Sequence, residues 1–219
     1  MRDRELQYEM FASFFLDLPS ADKLVIMASE AKGMEVGGSA GLEELSGFFA
    51  RLETCDCDAV LQEVGVGRTF LVRGTTKNGP KPPYGSLYQG ALSEKSMLAL
   101  KHFYRRAGLE LSECVHEAPD YLGVELAFMA TLLERAQSFS GSDEERAGAC
   151  FHQAQEFLAD HLAPLAKSYV AEALPYARTG FCRGMLLLLD EFMESELLGI
   201  DGSGERSCRS CSFLGEERA

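Results

Sequence analysis

Two close cysteine pairs, Cys55-Asp56-Cys57 and Cys208-Arg209-Ser210-Cys211, offer four thiols of the kind that hold structural zinc. Zinc sites draw on pairs with two to four intervening residues, because that spacing lets both sulfurs turn onto one ion. Cys55 and Cys57 have a single residue between them, and the second pair lies in a polar tail, so the set reads poorly as a metal centre. Cys114, Cys150 and Cys182 read as small core residues. His102, His116, His152 and His161 fall on four separate segments without an H-x₃-H pair, and Glu125 has no histidine three residues on. No resident metal or cofactor is expected from this inventory.

Two further matches are to nucleophile and phosphate chemistry. "GGSAG" (37–41) fits G-x-S-x-G, which presents a serine on a turn between strand and helix. Helical patterns surround it here, so Ser39 is expected to be an interhelical loop residue. "GTTKNGPK" (74–81) has the outline of a P-loop with Pro80 at the lysine position and Pro82 just beyond. Backbone N–H groups cradle phosphate in such loops and proline has none, so this is a poor nucleotide site.

The elements that must carry any site are helical. "RDRELQYEMFASFFLDL" repeats Leu6, Met10, Phe14 and Leu18 at helical spacing, with Phe11 and Phe15 widening the stripe. Ser20 is placed to cap "ADKLVIMASEAKGM", and "LEELSGFFARLE" and "DAVLQEVGVGRTFLVRG" follow, the last with two glycines that each weaken a helix by about 1 kcal/mol. After the Gly/Pro-rich stretch "TTKNGPKPPYGSLYQG" comes "SEKSMLALKHFYRRAG", with Ser93 at its start. "APDYLGVELAFMATLLERAQ" has Pro119 in its expected first turn and Asp120 near the positive end of the dipole. Its stripes Leu122/Leu126/Met129/Leu133 and Val124/Phe128/Leu132 cover so much of the circumference that the helix must be buried between others. "SDEERAGACFHQAQEFLADHLAPLAKSYVAEAL" offers Ser142 and Glu145 as a capping box and Pro164 as a kink or restart. "ARTGFCRGMLLLLDEFMESELLGI" closes the series. No alternating strand or fixed repeat interrupts the pattern. The fold class is all-α, a bundle of about eight to ten helices over residues 1–200, with a possible subdivision near the proline loop 75–92 and a flexible tail over 201–219.

Composition narrows the partners. The chain of 219 residues carries 34 acidic and 21 basic side chains, a net charge of −13. That balance repels nucleic acid, whose binding needs Lys and Arg against phosphate, and suits a basic partner. "MRDRELQYEM" has no apolar core of a signal peptide, and "GMLLLLDEFM" is far short of the roughly 20 apolar residues that span a bilayer. An odd number of scattered cysteines, seven, fits a reducing compartment. A cytoplasmic protein with no integral membrane segment is expected.

The remaining anomaly is "PKPPYGSLY" (80–88), a stiff loop tipped with two tyrosines in a helical chain. Prolines 80, 82 and 83 restrict the free backbone, so less entropy is lost when a ligand docks. Tyr84 and Tyr88 offer apolar faces with hydroxyls that can stay wet. A rigid connector whose tyrosines pack onto the bundle is the plainer alternative.

Three segments in this order resemble the TorD/DmsD/NarJ family of redox-enzyme maturation chaperones: "PPYGSLY", "EAPDYLGVELAFMATLL" and "FLADHLAPL". The likeness runs from about residue 5 to 200. It departs at Tyr121, where the family often has His, at Leu165, where Trp is common, and in the absence of any tryptophan. The resemblance implies a TorD-like all-α chaperone without catalytic residues. It would bind the twin-arginine signal peptide, or the body, of a molybdenum oxidoreductase subunit in the cytoplasm until the cofactor is inserted, acting as a monomer or homodimer. It also implies a peptide-binding set of Pro83, Tyr84, Ser86, Leu87, Tyr88, Pro119, Asp120, Tyr121, Glu125 and His161. In that set Asp120 would accept an arginine through charge-assisted hydrogen bonds, Glu125 would be a second acidic contact, and His161 would shape the groove. A basic-headed apolar peptide needs acidic groups beside an apolar surface, which the composition can supply. The competing readings are a nucleotide-binding hydrolase and a helical dimerisation or scaffold module.

Overall fold

The computed structural model describes residues 2–32, 38–52, 56–74, 79–88, 93–112 and 115–208. Regular structure among them is helical: α1 (Arg2–Leu16), α2 (Ala21–Lys32), α3 (Ala40–Leu52), α4 (Cys57–Arg73), the single turn α5 (Gly85–Tyr88), α6 (Ser93–Arg106), α7 (Leu122–Phe139), α8 (Glu144–Phe157), α9 (Ala163–Ala173) and α10 (Gly180–Cys208). A π-helical segment (Leu158–Leu162) joins α8 to α9, and a 3₁₀ turn (Leu174–Tyr176) follows α9. One isolated antiparallel bridge pairs Tyr84 with Tyr121.

Helix α7 is the axis. Both stripes read from its sequence are buried, as expected for a helix apolar nearly all round. It packs on α1 along one side and α8 along the other, and α3 pairs with α10. The α1–α7 crossing is close because residue 123 is glycine. A Cβ there would stand 2.8 Å from the Phe15 Cβ and 3.0 Å from the Leu16 Cγ. On α1 the buried face runs through Tyr8, Phe11, Ala12 and Phe15, whereas Leu6 (52%) and Leu18 (61%) of the expected stripe stand exposed. The polar Tyr8 takes an inward place because its hydroxyl donates to Glu196 of α10, 2.7 Å away, and Arg4 also binds that carboxylate.

The α3–α10 contact is tighter still. A Cβ on Gly41 would lie 2.6 Å from the Leu188 backbone nitrogen and 2.5 Å from its Cγ, and one on Gly184 would lie 3.0 Å from the Gly41 carbonyl oxygen. Alanine is the better helix former by about 1 kcal/mol, yet Gly41→Ala should lower stability by about 1–3 kcal/mol, because backbone cannot yield as a side chain would. Urea unfolding of the two proteins measures it.

Several element ends differ from the sequence reading. Helix α7 begins at Leu122, not Pro119, because Tyr121 is held extended by its bridge to Tyr84. Asp120 therefore lies outside the helix whose dipole it was expected to favour. Helix α8 is capped by Asp143, whose carboxylate accepts from the Arg146 N–H at 3.1 Å, rather than by Ser142, whose hydroxyl donates back to the Phe139 carbonyl. Pro164 restarts the helix as expected, by a π turn. The Ala163 N–H bonds the Leu158 carbonyl five residues back, a wider turn that accommodates the ring of a residue with no N–H to give. Ser20 accepts from the Lys23 N–H and Ser39 from the Leu42 N–H, so both serines are helix caps. Cys182 is buried but Cys150 only half-buried, and Cys114 lies outside the described residues. The backbone of α10 continues to Cys208, within the segment read as tail, and residues 209–219 lie outside the described residues, as does Cys55.

Candidate functional site

The proline loop and the start of α7 meet. Their meeting is the Tyr84–Tyr121 bridge, in which the Gly85 N–H donates to the Asp120 carbonyl at 2.8 Å and the Leu122 N–H donates to the Pro83 carbonyl at 2.9 Å. The chain at 80–84 stays out of helix because prolines at 80, 82 and 83 hold φ near −65° and disfavour helix in the residue before each, and the Tyr84 N–H closes a tight turn on the Pro82 carbonyl at 2.8 Å. Gly74, in a left-handed conformation with φ 57°, turns the chain out of α4 toward it, and a Cβ there would meet Pro82 at 2.8 Å.

The single turn α5 that follows presents unpaired N–H groups, and one is taken by a neighbour distant in sequence. The Ser86 N–H donates to Asp120 Oδ2 at 2.9 Å. Asp120, only 5% exposed, thus caps α5 from outside it, favourably placed at a helix N-terminus. Gly85 sits closely on the same junction: its Cβ position lies 3.6 Å from the Asp120 Cβ and 3.8 Å from Glu125 Oε1.

The tyrosines tie this junction to the rest of the bundle. Tyr84 donates to Glu117 Oε2 at 2.6 Å, and Arg73 pairs with the other oxygen of Glu117 at 2.7 Å. Burial, then the bonded Glu117 carboxylate, pushes the Tyr84 phenol up to about 12. Tyr84 and Tyr121 rings lie 5.1 Å apart. The Tyr121 hydroxyl donates to the Phe15 carbonyl at 2.8 Å, and Arg68, also buried, binds the Phe14 and Phe15 carbonyls, so the C-terminal end of α1 is satisfied by α4 and by the site itself. At the far end Tyr88 donates to the Lys81 carbonyl at 3.0 Å, and Lys81 is clamped to α9, with its N–H on Glu172 Oε1 at 2.9 Å and its Nζ 3.2 Å from Glu172 Oε2.

Glu125 is the unusual member. It is buried in the first turn of α7, and its Oε2 has no hydrogen-bond partner among the described residues. Burial, aided by the neighbouring Asp120, pushes its carboxyl up to about 8, so the closed junction favours the neutral acid. Pro119 is half-exposed, and its carbonyl accepts from Tyr104 at 2.7 Å.

A model of one protein family matches residues 40–171 and is described as the nitrate reductase delta subunit. This chain belongs to that family. It is a family of maturation chaperones for redox enzymes, with molybdoenzyme subunits as partners, and not one of catalysts. The match spans the proline loop, the start of α7 and the π-helical segment, the three segments that carried the resemblance. The hydrolase reading falls with it, and no described helix is long and apolar enough to cross a membrane.

Nine of the ten residues expected to bind peptide lie on this junction or on the loop leading from it. Leu87 (46%) and Ser86 are exposed, Tyr84, Tyr88 and Pro119 are partly so, and Pro83, Asp120, Tyr121 and Glu125 are buried. His161 stands apart in the π segment, stacked on Phe157 at 5.6 Å and edge-on to Phe103 at 5.1 Å, and burial lowers its pKa. Sequence reasoning missed Glu117, Arg73, Lys81 and Glu172, which fasten the loop. Glu117 opened the very segment "EAPDYLGVE", but a charge at a helix entry signals nothing by itself.

Proposed function

We propose that this protein binds the twin-arginine signal peptide of a molybdoenzyme precursor in the cytoplasm, on the surface made by residues 80–88 and 117–125, and thereby delays export until the cofactor is in place. The supporting observation is the Tyr84–Tyr121 bridge. It assembles an apolar lip (Leu87, Tyr84, Tyr88) over a concentration of carboxyls (Glu117, Asp120, Glu125) from two distant stretches of chain. An apolar lip beside acids complements a peptide with a basic head and an apolar middle. The scaffold alternative has no comparable use for an exposed leucine on a turn stiffened by three prolines.

Leu87→Asp tests the surface without touching the core. Substitution at this exposed site should change stability by no more than about 0.5 kcal/mol, while affinity for a synthetic twin-arginine leader falls about tenfold or more. Fluorescence anisotropy reads the affinity and thermal unfolding the stability. Unchanged affinity would remove the loop from the binding surface.

A further inference from the structure

The two partly exposed acids of the site already have partners: Glu117 holds Arg73 and Tyr84, and Glu172 holds Lys81. A cationic ligand arriving at the surface would have to displace these pairs. Beneath α5 the situation is reversed. Two buried polar atoms lack partners among the described residues, Glu125 Oε2 and the Tyr169 hydroxyl, and one lies under each end of the turn. Gly85 covers Glu125, with its Cβ position 3.8 Å from Oε1, and the Tyr88 ring covers Tyr169, with centroids 6.2 Å apart. A buried polar group left without a partner forgoes the bonds it made to water, and two such groups under one four-residue turn mark a place the fold has not optimised for stability.

The cover is fastened by polar contacts to Asp120, Glu117 and Glu172 and by the two backbone bonds of the Tyr84–Tyr121 bridge. Each such contact adds little net stability, because it replaces a bond to water, so the segment opens more readily than the helices it lies on. We infer that residues 80–88 form a displaceable strap and that lifting it presents Glu125 as a buried recognition carboxyl for a cationic, hydrogen-bond-donating side chain, a guanidinium or ammonium group of the client. This deepens the proposed function and rests on it.

The surroundings of Glu125 fit that role. Asp120 faces it from the loop before α7, Tyr104 faces it from α6, and α5 contributes a glycine. Among the described residues no cation acts on it. In the closed state the acid keeps its proton. A guanidinium under the lifted strap supplies both the missing donors and the counter-charge, so the carboxyl ionises and one proton leaves for solvent as the ion pair forms. Binding is then linked to proton release.

The test uses the full chain and Glu125→Gln with a synthetic twin-arginine peptide and its citrulline analogue, which keeps the shape and loses the charge. Calorimetry at pH 5.5, where the closed site holds its proton, in two buffers of different ionisation enthalpy should show close to one proton released per arginine peptide by the wild type and none by the variant. Affinity should fall about tenfold in the variant, and citrulline should weaken wild type without further weakening the variant. Equal proton release by the two proteins, or by the two peptides, overturns Glu125 as the recognition group while leaving the proposed function standing. Binding of the arginine peptide by neither protein defeats the proposed function itself. Strap opening is judged separately by amide exchange of residues 80–88 without peptide. Exchange in the wild type relative to Glu125→Gln should rise at least fivefold from pH 5 to 7, and a constant ratio overturns the strap.

Discussion

Tyr121→Ala is expected to destabilise the protein by about 4 kcal/mol, and Tyr121→Phe by only about 1 kcal/mol. The difference separates what the ring does from what the hydroxyl does. The ring is completely buried, packs 5.1 Å from Tyr84 and places Cε1 3.0 Å from the Cβ position of Gly123. Its loss leaves a cavity at the point where the loop, α1 and α7 join, and rigid neighbours refill such a cavity poorly. The hydroxyl gives one hydrogen bond, to a Phe15 carbonyl that Arg68 also serves, so phenylalanine leaves no carbonyl without a donor. Denaturant unfolding gives both numbers. The alanine variant should also lose peptide binding through displacement of the whole loop, whereas the phenylalanine variant should bind as the wild type does. A large loss in Tyr121→Phe would mean that the hydroxyl, and not the packing, organises the junction.

That residue also shows how far the sequence carries. Helix existence was legible because α7 and α10 declare themselves by apolar periodicity, and even α4 forms despite Gly65 and Gly67. Gly67 proves to be a packing residue, with its Cβ position 3.0 Å from Thr179, and tertiary contact outweighs propensity there. The three motif segments were legible as a set, and two of them do meet. Their mode of meeting was not. A two-residue bridge has no periodicity, so nothing in "APDYLG" distinguished an extended Tyr121 from the first turn of a helix. Nor can a sequence show that Asp120 caps a helix 35 positions earlier instead of its own, since an N-cap read from sequence is always assumed local. His161 failed to join the site for a related reason. The π turn that Pro164 demands fixes which face the histidine takes, and it takes the aromatic one.

The second large effect concerns pH. A carboxyl whose folded-state pKa lies above its unfolded one holds its proton more tightly when folded. Its contribution to stability is complete below the unfolded value near 4.5 and is lost as pH rises through about 8. Glu125 should therefore make the wild type lose stability between about pH 4.5 and 8, against the usual direction for an acid paired in the native state. Glu125→Gln has no proton to lose, and comparing slopes rather than absolute stabilities removes whatever constant offset the amide introduces. If the carboxyl ionised inside the closed fold, the loss would be on the order of 5 kcal/mol, one pKa unit being about 1.4 kcal/mol. A strap that lifts gives the charge another course: the loss cannot exceed the free energy of opening, because an open strap lets water reach the carboxylate. We therefore expect the wild-type curve, taken relative to Glu125→Gln by urea unfolding, to fall and then level off at about 2–3 kcal/mol. A fall that continues to the full figure would mean that residues 80–88 stay closed over the charge. Parallel curves from pH 4.5 to 8 would mean that Glu125 holds its proton no more tightly folded than unfolded, and that some group supplies the counter-charge which the closed junction lacks.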